Sequence, residues 1–307
     1  MKSEIELLEF YNSKLISELE PLELFRIENV DKINNYIYWA ITCTIIIVIV
    51  IFFKSPILIL ISCFPVFVFL GLAYKTLNEM SNHLTKQFKY KILPELLSFL
   101  FDEYEYIANQ KIVKSVLEKS MIFPNYFVSA QGEDFMRFKI GESLIMFCEI
   151  NVMLNNQDAI FQGIFISASF NKYFTSKTFV LSEKATSNLR IIKRQLLSNF
   201  NRVKLEDIEF NKYFFVLGSD QVEARYILTP SLMERILKYK NKAKKRISLS
   251  FVDNRLYCAI PNYTNLFEPA LFEPFDFEFV KKNYTPLKLY TDIVDDLNLN
   301  TRIWSKQ

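Results

Sequence analysis

A chain of 307 residues, half of them apolar and 16% aromatic, can hold one large or two small domains and is too rich in apolar side chains to be disordered throughout. Its net charge of +3 is too small to argue by itself for a nucleic-acid binder. The four cysteines lie at least 20 residues apart, with Cys43 and Cys63 inside apolar stretches, which argues against a disulfide framework and for a reducing compartment.

Residues 3–19 place Leu8, Tyr11, Leu15 and Leu19 at helical spacing, and Pro21 is expected to restart a helix leading into the first apolar run. That run, "YIYWAITCTIIIVIVIFF" (36–53), and a second, "PILILISCFPVFVFLGLAY" (56–74), carry no charge. At about 1.5 Å per residue each approaches the roughly 30 Å of bilayer hydrocarbon. Only Lys54 and Ser55 separate them, so they form an antiparallel hairpin, with Ser55 as cap, Pro56 at the first helical position and a kink expected at Pro65. A buried soluble hairpin is the competing reading, but no soluble core needs two helices so uniformly apolar. The acidic 35-residue lead does not resemble a signal peptide. Arg26, Lys32, Lys75, Lys86, Lys89 and Lys91 flank the terminal side against Lys54 alone in the loop, which predicts both termini in the cytoplasm. Tyr36, Tyr38, Trp39 and Tyr74 gather at that same interface.

After the hairpin, Leu77, Met80, Leu84, Phe88 and Ile92 continue at helical spacing as a stalk, with "LPELLSFLF" (93–101) and "VKSVLEKSMIF" (113–123) as further helices. His83, the only histidine, reads as a stalk surface residue. From about residue 124 the period becomes that of strands: 135–154 as a hairpin turning at Lys139–Ser143, then 159–170, 177–183, 213–219 and 246–261 with a central Asp-Asn turn. Asp220 with Glu223 reads as a capping box opening a short helix, although a strand reading of 222–228 stays open. Thr229–Pro230 opens a second helix through about Lys240, and "YTDIVDDLNLNTRIW" a last helix and tail. The expected fold class is α+β with a mostly antiparallel sheet. Its parts are an N-terminal amphipathic helical segment (1–35), a transmembrane helical hairpin (36–74), a cytoplasmic helical stalk (75–123) and a cytoplasmic α+β domain (124–307).

The pentapeptide "FNKYF" occurs at 170–174 and at 210–214. Two copies are too few for a stacked array. They read as two turns into strands with their aromatics in the core, or as a ligand-contact motif used twice. Together with "GED" (132–134), "FQGIFI" (161–166), "LEDIEFNKYF" (205–214), "DQVEARYILTPSLMERI" (220–236) and "LNLNTRIW" (297–304), they resemble the bacterial family called domain of unknown function 3137. The resemblance covers most of 125–305 and implies a membrane-anchored bacterial protein, with no activity or catalytic residue to carry over.

Chemistry is sparse. Five glycines leave no P-loop or dinucleotide cradle, and one histidine with isolated cysteines leaves no zinc site or His-dependent triad. No cofactor is expected. Glu206, Asp207, Glu209, Asp220 and Glu223, with Arg225, cluster within 20 residues. Asp220, Glu223 and Arg225 are therefore the candidate catalytic group, for acid–base or Mg²⁺ work, unless caps and ion pairs explain them. "KYKNKAKKR" puts Lys238, Lys240, Lys242, Lys244, Lys245 and Arg246 in nine residues. This run is either a solvated helix end suited to the macrodipole or a binding surface for anionic lipid or an acidic protein. Nucleic acid is not expected, because no stacking aromatics accompany it. The chain thus reads as a membrane-anchored binding or adaptor protein, more so than as an enzyme. The alternative is a membrane-anchored hydrolase or transferase using carboxylates and a divalent metal.

Overall fold

The computed structural model describes residues 2–51, 56–123, 127, 129–154, 158–169, 175–182 and 196–297. The first FNKYF copy, the Lys54–Ser55 loop and the segment after Leu297 lie outside them. The chain divides into two compact units, one of residues 1–100 with 267–284 and the other of 101–266 with 285–307.

The first unit is helical. Ser3 caps α1 (Glu4–Phe10), with Glu6 returning a hydrogen bond to the Ser3 amide. A five-residue π turn, Tyr11–Leu15, leads into α2 (Ile16–Ile51). The buried stripe follows Leu7, Leu15, Leu19 and Leu22, while Leu8 is exposed, because the wide turn shifts the helical phase. Pro21 does not restart a helix: α2 runs through it, since the packing of the following turns outweighs one lost backbone hydrogen bond. α3 (Pro56–Gln87) likewise runs through Pro65 and packs along α2. A second π turn, Phe88–Ile92, joins it to α4 (Leu93–Leu100). Met80, Leu84, Phe88 and Ile92 are buried at the expected spacing. Exposed His83 lies with its ring 4.4 Å from that of Phe25.

Both long helices satisfy the length and hydropathy of a membrane span, and only 11% and 6% of their most apolar windows is buried. The core helix of a soluble protein would show the opposite.

The second unit holds a sheet of nine described strands in the order β1-β2-β3-β4-β9-β8-β5-β7-β6, every neighbouring pair antiparallel. β2 (Ser129–Ile140) and β3 (Ser143–Met153) form the expected hairpin, turning at Gly141 in the left-handed region (φ 57°). β4 (Ala159–Ser169), β5 (Thr178–Ser182) and β7 (Phe214–Gly218) match the apolar runs. β8 (Ser248–Val252) and β9 (Arg255–Pro261) flank the Asp-Asn turn, with Asp253 at φ 56°. That hairpin inserts between β4 and β5, so strands adjacent in sequence are not adjacent in the sheet. β5, β7 and β8 bury nearly every residue on both faces, which is why they read as continuous apolar runs.

Two short strands escaped the pattern. β1 (Tyr104–Ile107) lies within the stretch read as helical stalk and pairs with β2, and β6 (Asn201–Arg202) forms the other edge. α5 (Lys114–Ser120) docks on β8, where the Ser250 hydroxyl donates to the Ser120 carbonyl at 2.6 Å. The 222–228 stretch is helical: α7 (Gln221–Ile227) is capped by Asp220, and α8 (Pro230–Ala243) by Thr229 with Pro230 in its first turn. The second FNKYF copy turns from a short helix, α6 (Ile208–Tyr213), directly into β7, with Phe210 and Phe214 buried 4.8 Å apart. α9 (Phe277–Thr291) and α10 (Ile293–Asp296) close the described chain.

Candidate functional site

The candidate carboxylates serve as local ties. Asp220 accepts from the amides of Val222 (2.7 Å) and Glu223 (2.9 Å), which satisfies the free N–H groups at the start of α7. Glu223 does not complete a box with Asp220. It accepts instead from the Thr175 amide (3.0 Å), the Thr175 hydroxyl (2.8 Å) and the Ser176 amide (2.6 Å), holding the segment before β5. Burial pushes the Glu223 carboxyl up, but these hydrogen bonds prevail and leave it below its ordinary value. Arg225 reaches the Lys204 carbonyl at 3.2 Å and the Gln221 side chain at 3.3 Å. Asp207 caps α6 through the Phe210 amide at 2.8 Å, and Glu206 and Glu209 are exposed. No common point gathers these groups.

A different trio of acids does converge. Glu133, Asp134 and Glu149 place one oxygen each within 4.8 Å of one another. Their meeting depends on a bulge in β2 between Glu133 and Met136, with Asp134 at φ 57° and its amide bonded to the Ala108 carbonyl at 2.7 Å. Glu133 and Glu149 border a cavity of about 450 Å³ whose other lining includes Gln131, Asn151, Gln162 and Asn262. Gly163 forms part of its wall because a Cβ there would sit 2.3 Å from the Ile260 carbonyl oxygen at φ 152°. Asp134 accepts from the Tyr106 hydroxyl at 2.6 Å and Glu149 from the Leu266 amide at 2.8 Å, so both are already used in fixing the strands. Buried Cys148 donates to the carbonyls of Glu133 and Glu149, and burial pushes its thiol up to about 12, which leaves it unreactive. No sequence signal joined these acids, since a bulge is what brings them together.

The basic run splits by helical phase. Lys238 and Lys242, four residues apart on α8, are paired: Lys238 with Glu234 at 2.7 Å, and Lys242 with Asp292 and Asp296 at 2.9 Å each. Lys240 and Lys244 lie on another face of the helix. Lys244 ends α8 in the left-handed region (φ 51°), and Arg246 follows it, both exposed. Lys245 also lines the cleft described next, and its ammonium donates to Asn262 Oδ1. Burial pulls its pKa down, against the attraction of Glu149.

Lys240, Lys244 and Arg246 border a cleft of about 420 Å³ whose opposite side is Lys212, Tyr213 and Phe214 of the second FNKYF copy. The Lys240 ammonium stands 3.5 Å from the centroid of the Tyr213 ring. Among the described residues no carboxylate pairs with Lys212, Lys240, Lys244 or Arg246, and none lines the cleft. Lys212 and Tyr213 were missed as site residues. The repeated pentapeptide was the signal that pointed at them.

The model of the family described as protein of unknown function (DUF3137) matches residues 159–299. Over that stretch the chain is similar to this family. The DUF3137 match spans β4 through α10 and contains the whole cationic cleft, whereas β1 to β3, with Glu133, Asp134 and Glu149, precede it. Among curated proteins, none matches the sequence. Among solved structures, the chain is similar to the mycobacterial trehalose monomycolate transport factor A, at 6% identity over 63% of this chain and 88% of that one, with a TM-score of 0.34. A likeness at that level carries no argument about function.

Proposed function

We propose that this chain is a non-enzymatic binding protein of the bacterial inner membrane. Two spans anchor it, both termini are cytoplasmic, and its α+β domain engages the anionic inner leaflet or an acidic protein. The observation that carries this reading is the unequal treatment of the basic run. A merely solvated helix end would have its cations paired or dispersed without regard to face. Here the acids satisfy Lys238 and Lys242, while Lys240, Lys244 and Arg246 have no counter-charge among the described residues. Near an anionic leaflet each such cation is worth about 1 kcal/mol.

The test uses the full chain in nanodiscs. Hydrogen exchange of residues 238–247 should slow in phosphatidylglycerol discs relative to phosphatidylcholine discs, and Lys244→Glu/Arg246→Glu should abolish the difference. If an acidic protein is the ligand instead, crosslinking in intact cells captures it in stoichiometric amount, and the same double variant loses it. If neither result is obtained, the reading fails. A periplasm-dependent reporter fused after Gln307 should stay silent, and activity there would overturn the topology.

The enzyme alternative keeps one specific point in its favour, the convergence of Glu133, Asp134 and Glu149. A thermal shift of the full chain with Mg²⁺, Mn²⁺ or Ca²⁺ that disappears in Glu133→Gln would support it, and no shift with any of the three would remove it.

A further inference from the structure

The cationic cleft has a shape that electrostatic adhesion to a surface does not require. Five cations line it from two separate elements, Lys212 from α6 and Lys240, Lys244, Lys245 and Arg246 from the end of α8 and the residues after it, with Lys245 already engaged by Asn262. Like charges held this close repel one another unless an anion lies between them. The floor is apolar, with Phe214 and Ile247, and one wall carries the Tyr213 ring under the Lys240 ammonium. α6 hands the chain to β7 without a loop, so Lys212 and Tyr213 stand at a fixed place beside the sheet. Lys244, in the left-handed conformation, ends α8 so that Arg246 and Ile247 follow along the cleft. The result is a concave site lined by cations from both elements, with Tyr213, Phe214 and Ile247 as its apolar part.

We propose that this cleft binds the phosphate of a phosphate ester, with Lys212, Lys244 and Arg246 on the phosphate oxygens and the Tyr213, Phe214 and Ile247 side against the ester's organic portion. The guanidinium of Arg246 suits two oxygens of one phosphate, and the lysines act as point charges around it. The chemistry is shared by a phospholipid headgroup and by a soluble phosphorylated metabolite. The proposal rests on the reading of the basic surface given above and narrows it from a charged face to a single site.

Calorimetry on the full chain in a neutral detergent, at low salt, tests it with two probes, inorganic pyrophosphate and dihexanoyl phosphatidic acid. One-site saturable binding of at least one probe is expected. Lys212→Gln/Lys244→Gln should weaken it about 25-fold, at about fivefold for each cation. Lys238→Gln, on the paired face, should leave it unchanged, and Lys212→Arg/Lys244→Arg should retain it, which separates lost charge from lost folding. Binding of both probes identifies free phosphate chemistry as sufficient, and binding of the lipid alone identifies a headgroup. No saturable binding of either probe overturns the proposal, as does an equal loss in Lys238→Gln. If the cleft fails while slow exchange of 238–247 in anionic discs persists, the site is wrong and the surface reading stands. If both vanish, both are wrong.

Discussion

Lys242 holds the end of the described chain onto α8, and replacing it with methionine should loosen that segment in a pH-dependent way. Its ammonium lies 2.9 Å from Asp292 and 2.9 Å from Asp296, on the same face of α8 as Tyr239, whose hydroxyl donates to the Leu289 carbonyl at 3.2 Å. Asp292 is the sensitive partner, because its side chain is only 8% exposed and its Oδ1 is buried without a hydrogen bond. Breaking a fully buried pair leaves an uncompensated charge and costs roughly 3–5 kcal/mol. Lys242 is 45% exposed and Asp296 33%, so water takes up part of the loss and about 2 kcal/mol is expected. That corresponds to roughly a 30-fold loss of protection. The assay is hydrogen exchange of amides 285–297 in the full chain, since local opening is what the pair controls.

The pH dependence follows from Asp292. Burial raises its carboxyl above the ordinary value, and Lys242 opposes that rise. Without Lys242 the folded-state value climbs further. Ionised Asp292 then disfavours the docked state, so the deficit is full at neutral pH and shrinks as pH falls through the raised value and the carboxyl takes a proton. Lys242→Met/Asp292→Asn should recover much of the protection at neutral pH. Unchanged protection in Lys242→Met, or a deficit that grows on acidification, would refute the assignment.

Glu223→Gln should destabilise the contact between α7 and the segment before β5 by about 1–2 kcal/mol, because a charged acceptor of three hydrogen bonds becomes a neutral one. Its carboxyl lies below the ordinary value when folded, so the wild-type advantage is present above the unfolded value, about 4.3, and is lost as pH falls through the folded one. Proteolysis near residue 175 reads both effects. Gly163→Ala should cost on the order of 3 kcal/mol, since the new Cβ would sit 2.3 Å from the Ile260 carbonyl oxygen at a φ of 152°, and a normal melting midpoint would contradict that geometry. Cys148 should resist alkylation at neutral pH in the folded chain, its thiol pushed up to about 12 by burial, and rapid labelling would show the strand open.

Features with a local cause were legible in the sequence. The two apolar runs, the strand alternation of 143–153, and the Asp220 and Thr229–Pro230 caps each depend on neighbours within a turn or a hairpin. β1 was not legible, because four half-exposed or exposed residues pairing with Phe135–Phe138 have no period of their own to display. The insertion of β8–β9 between β4 and β5 is likewise a choice among antiparallel edges that no single strand encodes. Glu133, Asp134 and Glu149 meet only because one extra residue in β2 re-aims the chain.

The basic run shows how a correct local reading can hide its own division. Six cations in nine residues look like one feature, yet helix geometry sends Lys238 and Lys242 to one face and Lys240 and Lys244 to another. The acids that decide which face is neutralised lie 50 and 54 residues further on, at Asp292 and Asp296. A charge-reversal experiment that includes Lys242 would therefore release the docked segment as well as alter the surface. A loss of binding in it would have two causes. Lys244 and Arg246 have no described acid partner, so reversing them alone changes the surface while leaving the Lys242 bridge in place.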